Sequence, residues 1–330
     1  MNTMTMKWLL RREFWEHKGS MFWAQVIVAA VLVLFVGGSL VYGLAMHGAP
    51  GHMTVNGRTV THTGFAAALP LEMKEKVVDV ASGVYLVAGS PLLLLMTVVL
   101  FFYCLGALYD ERRDRSILFW KSLPVSDGMT VLSKVLTALC VAPLITMAFA
   151  FAASLALLLI GCAVLAAGGV NMFGALLAAP NLYLQPLRLA ALLPVYMVWA
   201  LPTVGWLLLV SSWAKTKPFL WAVGAPLMLL LLAKWISMAL GGFQTDALDV
   251  QWLANEVVGR AIGGLVPGIW FSFTGGVPPE LHPNQNGIDM QGLFTASWMT
   301  LATAKAWIGA LIGAAMIFAA IRLRRWRDEG

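Results

Sequence analysis

Residues 141–165 read VAPLITMAFAFAASLALLLIGCAVL, a run of 25 without a single Asp, Glu, Lys, Arg or His. A helix rises about 1.5 Å per residue, so roughly 20 apolar residues are enough to cross about 30 Å of hydrocarbon. The run does not alternate in polarity as a membrane β-strand must. It therefore predicts a transmembrane helix. Five more stretches of the same kind lie at 22–46, 84–108, 187–210, 219–240 and 298–321. The predicted fold is all-α and polytopic, with six transmembrane helices in one membrane domain spanning 1–330. Apolar character begins near Val131, ahead of the third span, and Pro143 is placed to separate an interfacial helix from the membrane helix there. Pro194 and Pro202 predict a kinked fourth span.

Working outward from the spans, composition agrees. Hydrophobic residues make up 60% of the 330 and the mean hydropathy is +0.80, while charged residues make up only 12%. A soluble domain carries roughly 25% charge. That excludes an ordinary soluble enzyme, a disordered chain and a nucleic-acid-binding module. The net charge of +6 is then read as basic loops on one side of a membrane. Three cysteines are too few for a disulfide framework, and Cys104, Cys140 and Cys162 all sit in apolar runs, as small buried hydrophobes do. No cleaved signal peptide is expected, because the first apolar run starts only at Phe22 and lacks a small-residue cleavage site.

Placing both termini in the cytoplasm puts 15 of the 22 Lys and Arg residues inside, whereas the 16 acidic residues divide equally. The positive-inside rule favours that orientation. Three segments then face outward: 47–83, 166–186 and 241–297. In the first, Asn56-Gly57 between β-branched residues predicts a hairpin, followed by a surface helix over 71–85. The second is a short loop containing Gly, Pro and Asn. The third is the longest. It is expected to be helical over 245–258 and irregular over 267–292, where Gly, Pro and Asn accumulate.

Several chemistries are missing. The chain has no G-x-x-x-x-G-K-[ST], no H-E-x-x-H and no G-x-S-x-G, and no span carries an Asp or Glu near its middle. Lys234 and Lys305 fall towards the outer ends of their spans, where they either snorkel to the interface or contact a substrate. His47, His52 and His62 share the first outer segment with Met46 and Met53, but their spacing matches no metal site, and none is assigned.

The most informative cytoplasmic segment runs from Tyr109 to Ser126: YDERRDRSILFWKSLPVS. A dense charge cluster leads into the apolar quartet Ile117–Trp120, a Leu-Pro-Val-Ser turn and a new helix that Ser126 or Asp127 would cap. The quartet has no membrane to span, so it must bury itself at the bilayer interface or against another protein. This segment resembles the cytoplasmic loop of ABC-2-type permeases, the membrane subunits of a class of ATP-driven exporters. Their loop carries an E-R-x-x-G-T-L-E-x-L-x-x-L-P-V-S-like pattern with a Lys further on. Glu111, Arg112, Ile117, Ser122, Leu123, Pro124, Val125, Ser126 and Lys134 fall on it. Arg115, Ser116 and Leu118 stand where Gly, Thr and Glu are usual.

The resemblance implies six spans, an interfacial helix before the first and a large outer elaboration between the fifth and sixth. Here 7–18 holds Trp8, Arg11, Arg12 and Trp15, aromatic and basic residues suited to headgroups, although its helical wheel does not separate into two faces. It also implies a function: a permease subunit paired with a second copy or a related chain, driven by separate ATPase subunits that bind ATP and Mg. No cofactor and no catalytic residue belong to this chain. Within 110–134, Glu111, Arg112, Arg113, Arg115, Phe119, Trp120 and Pro124 are the expected coupling residues, with Phe119 and Trp120 as anchors and Arg112, Arg113 and Arg115 as a charged rim. The apolar spans suit export of an amphipathic peptide, drug or lipid. The alternative is a subunit that uses its 241–297 loop to move a periplasmic partner. An intramembrane enzyme is the least favoured reading, since the spans offer no paired His or Asp.

Overall fold

The structure is a computed structural model that describes residues 3–47, 52–55, 58–61, 71–115, 125–167, 169–240, 249–276 and 290–326. Among these, six helices are long and apolar enough to cross a membrane: Gly19–Met46, Lys76–Arg113, Asp127–Ala167, Pro180–Trp213, Leu220–Ala239 and Ala304–Trp326. The fold is that of a helical multi-pass membrane protein. A two-stranded hairpin pairs His52–Val55 with Arg58–Thr61 in the register His52↔Thr61 to Val55↔Arg58, as Asn56-Gly57 predicts. The helix Leu71–Val84 follows, at the expected place.

Side-chain chemistry explains where the helices depart from expectation. The third span is not divided at Pro143. It runs unbroken and accommodates the proline with a widened π-helical turn over Thr137–Val141, the adjustment that spares the carbonyl one turn earlier from the pyrrolidine ring. The helix of the fourth span is interrupted at Leu192, whose ψ is −8°, and Pro194 occupies the first turn of the restarted helix Leu193–Trp213, where its missing N–H costs nothing. Pro202 stays inside that helix. The sixth span begins at Ala304 instead of 298. Thr300 and Thr303 donate their hydroxyls to the carbonyls of Ser297 and Thr300, and Thr303 swings to ψ 138°, so Met290–Met299 is a separate helix. The 166–186 segment is also more helical than a loop: Phe173–Ala178 is one helix, and Pro180 opens the next at its first turn.

The fourth span is the axis of the bundle. Its most apolar window is 61% buried, against 11% for the first span and 17% for the fifth. Its closest neighbour is the sixth span, through glycine. A Cβ on Gly205 would lie 2.5 Å from the Gly313 carbonyl oxygen, and one on Gly313 would lie 2.6 Å from that of Leu201. Gly309 and Gly313 form a G-x-x-x-G stripe that lets two backbones touch, the device that replaces hydrophobic driving force between helices in lipid. Spans one and three are joined by a buried amide: Gln25 donates to the Thr146 hydroxyl at 3.1 Å.

The segment between the fifth and sixth spans is packed into the helical bundle. Val250–Trp252, the wide turn Leu253–Gly259 and Arg260–Ile262 continue as one helical stretch, and a glycine-rich turn leads to a short helix, Trp270–Thr274, where irregular chain was expected. This fold-back reaches Thr203, halfway along the fourth span's main helix. Thr203 donates to the Arg260 carbonyl and accepts from the Gly264 amide at 3.0 Å, while Thr97 of the second span donates to the Leu265 carbonyl at 3.2 Å. Two threonines thus satisfy backbone groups that have no water to turn to. Gly264 is required by the closeness: a Cβ there would meet the Thr203 hydroxyl at 2.5 Å and the Trp199 carbonyl at 2.8 Å.

Candidate functional site

The charged end of the second span is built into the protein. Tyr109–Arg113 is a single helical turn whose first amides need acceptors, because a helix start leaves them free. Ser211, near the end of the fourth span, supplies one: its hydroxyl accepts from the Leu108 and Tyr109 amides at 3.0 and 2.9 Å. Arg112 answers in the opposite direction. Its guanidinium donates to the carbonyls of Ser211 and Ala214 at 2.6 and 2.9 Å, closing the free carbonyl end of the fourth span.

Glu111 points the other way, into an ionic joint. Its carboxylate meets Lys134 Nζ at 3.0 Å, the Arg324 guanidinium, and Arg12 at 3.8 Å. Lys134 also meets Glu13 at 3.0 Å, and Glu13 accepts from the Tyr103 hydroxyl at 3.0 Å. Arg324 reaches Asp127 at 3.1 Å. The four charges buried deepest balance, Lys134 and Arg324 against Glu13 and Glu111, while Arg12, shared with the half-exposed Glu16, and Asp127 stand at the edge of the joint. Glu13 is 1% exposed, Lys134 2%, Arg324 4% and Glu111 6%, and charges so far from water persist only when paired. Five parts of the chain converge here: the amino-terminal helix Thr3–Glu16 and the ends of spans two, three, four and six.

Of the sequence-predicted coupling residues, the structure brings Glu111 and Arg112 into this joint and leaves Arg113 and Arg115 exposed. The arginines therefore do not form one rim: Arg112 is an internal clamp. Arg115 has φ 56°, the left-handed region in which glycine is the unstrained residue, and it is where the ABC-2 pattern has Gly. Ser126 caps the next helix by accepting from the Met129 amide, and Asp127 is left free to bind Arg324. Phe119, Trp120 and Pro124, with the rest of 116–124, lie outside the described residues.

The amino-terminal helix buries Met6, Leu9 and Glu13 on one stripe. Because that stripe ends in a carboxylate, a hydrophobicity wheel cannot find it. Trp8 and Trp15 are exposed, with Arg11 and Lys18 over their rings at 5.6 and 4.7 Å, while Arg12 pairs with Glu16 at 3.3 Å. Sequence reasoning missed Glu13, Ser211 and Arg324. None of them had a signal of its own, since the exposed Met4, Trp8 and Trp15 blur the wheel as much as the buried Glu13 does. Arg324 is indistinguishable from Arg322, Arg325 and Arg327 by sequence.

At the opposite end Lys305 meets Glu256 at 2.7 Å, and Lys234 is exposed on the fifth span. The side chains of His47 and His52, and all of His62, lie outside the described residues, as do 277–289. Comparison with protein-family models, with curated proteins and with solved structures found no match to this chain. The class that the fold defines is a multi-pass membrane protein with a buried ionic joint at one end of its bundle.

Proposed function

We propose that the chain is the permease subunit of an ATP-driven exporter of ABC-2 type, set in a bacterial inner membrane with both termini in the cytoplasm. One observation carries this reading. The Glu and the Lys of the family-like pattern, Glu111 and Lys134, lie 23 positions apart, and they meet at 3.0 Å in a joint that ties spans two, three, four and six together. The segment between them is the natural handle. An ATPase pulling on 115–126 would pull on both sides of the joint at once, and Arg112 would pass the displacement to the fourth span, the axis of the bundle. A second permease subunit would complete the pathway, and the amphipathic substrate would follow from the apolar spans. The amino-terminal helix, with Trp8, Arg11 and Trp15 exposed, would ride the cytoplasmic interface beside the joint.

The test is co-purification. Phe119→Ala with Trp120→Ala removes the proposed anchors and should release the ATPase subunit, at a cost of roughly 2–4 kcal/mol for a hot-spot pair, while membrane insertion stays normal. A double variant that keeps its ATPase and its substrate-stimulated hydrolysis would refute the coupling role.

A further inference from the structure

On the far side of the bundle from the ionic joint, a cavity of about 570 Å³ opens between the fourth, fifth and sixth spans and the fold-back segment. That is within the roughly 300–1,000 Å³ of small-molecule sites. Its walls are apolar: Pro202 and Trp206 from the fourth span, Leu229 from the fifth, Ile308 and Ile312 from the sixth, and Trp252 from the fold-back. Leu229, Ile308 and Ile312 are about half exposed, so the cavity opens sideways, on the flank that faces hydrocarbon in a membrane.

One end is charged. Arg260 and Glu256 both line the cavity there, and Arg260 is 7% exposed. Its guanidinium lies over the Trp199 and Phe273 rings at 5.2 and 5.4 Å, contacts Glu256 at 2.6 Å and donates to the Lys305 carbonyl at 2.7 Å. Its Nε–H is buried with no hydrogen-bond partner. Space for the group is reserved by Gly309, where a Cβ would stand 2.6 Å from the guanidinium. Burial lowers the Arg260 pKa and the Glu256 carboxylate raises it; the net shift is downward, yet a guanidinium remains charged. Glu256 is shared between Arg260 and Lys305, which stands just outside the lining and is about half exposed, so at this end of the cavity two cations face one anion.

We infer that this cavity binds a single-chain anionic amphipath, its acyl chain between the fourth, fifth and sixth spans and its acidic head on Arg260, with Lys305 as the second cation at the rim. The head supplies both things the site lacks, an acceptor for Nε–H and one negative charge. The inference needs the membrane setting but not the ATP-driven reading, so each can fail alone.

The full chain in nanodiscs of phosphatidylcholine is labelled with a 16-carbon fatty acid carrying a diazirine on its chain, and the adducts are mapped by mass spectrometry. Label should fall on 202–229, 252–261 and 308–316. Unlabelled palmitate and lysophosphatidylglycerol should both displace it, and the one that acts at lower concentration identifies the source of the acidic head. Hexadecanol should need at least a tenfold higher concentration than the better of the two. Ile312→Trp should abolish labelling, and Arg260→Gln should remove the advantage of acid over alcohol. Equal displacement by alcohol and acid on the unaltered chain, or label outside these segments, would overturn the assignment, and the alcohol comparison needs no variant to fold.

Discussion

Lys134→Met would remove the central cation of the ionic joint and leave Glu13 and Glu111 buried. At 3.0 Å each ion pair is worth about 5 kcal/mol of Coulomb attraction at an effective dielectric near 20. Much of that offsets the desolvation of ions that are 1% to 6% exposed. After the change Glu111 still has Arg324, but Glu13 keeps only the Tyr103 hydroxyl among the contacts described above, and the joint carries a net charge of −1. Removing one partner of a buried pair costs about 3–5 kcal/mol, because an uncompensated charge is left behind. A second change, Glu13→Gln, restores neutrality and keeps a hydrogen-bonding group beside Tyr103. The double variant should therefore be more stable than Lys134→Met alone, by about 2 kcal/mol. Unfolding of the detergent-solubilised chain by increasing SDS, followed by tryptophan fluorescence, measures all three. A loss below about 1 kcal/mol for Lys134→Met, or a double variant weaker than the single, would refute the claim that a balanced buried joint holds this end together.

Three further outcomes follow from individual residues. Arg115→Gly should stabilise the chain by about 0.5–1 kcal/mol, since the left-handed φ of 56° strains a side chain more than glycine loses in unfolded-state entropy; the same SDS titration checks it. Gly313→Ala puts a Cβ 2.6 Å from the Leu201 carbonyl, so spans four and six must part and stability should fall by about 1–3 kcal/mol, with the apparent melting temperature falling accordingly. Cysteines at Asn56 or Asn286 should react with an impermeant maleimide in intact cells, and those at Ser126 or Thr216 only after the membrane is broken; labelling of position 126 in intact cells would reverse the orientation read from 15 of 22 basic residues.

The six spans were legible in the sequence because the bilayer test is local: enough consecutive apolar residues make a helix whatever surrounds them. The same holds for the Asn-Gly hairpin, the helix restart at Pro194 and the Ser126 cap, each set by the conformational preference of one or two residues. Other features depend on residues remote in sequence and needed the folded chain. Whether Pro143 breaks a helix or is absorbed in a widened turn depends on how the turns around it pack. The fold-back is readable only once Thr203 and Thr97 are seen serving its backbone. Most of all, Glu13, Glu111, Lys134 and Arg324 look in sequence like ordinary loop charges, and a charge is solvated by default. Their burial follows from the meeting of helix ends up to 311 positions apart, Glu13 to Arg324, where each charge finds its opposite. Sequence determines which six segments are long and apolar enough to cross a membrane, since transfer free energy is a property of each segment. Tertiary structure alone decides which charges leave water, since the compensation of a buried charge is a property of pairs.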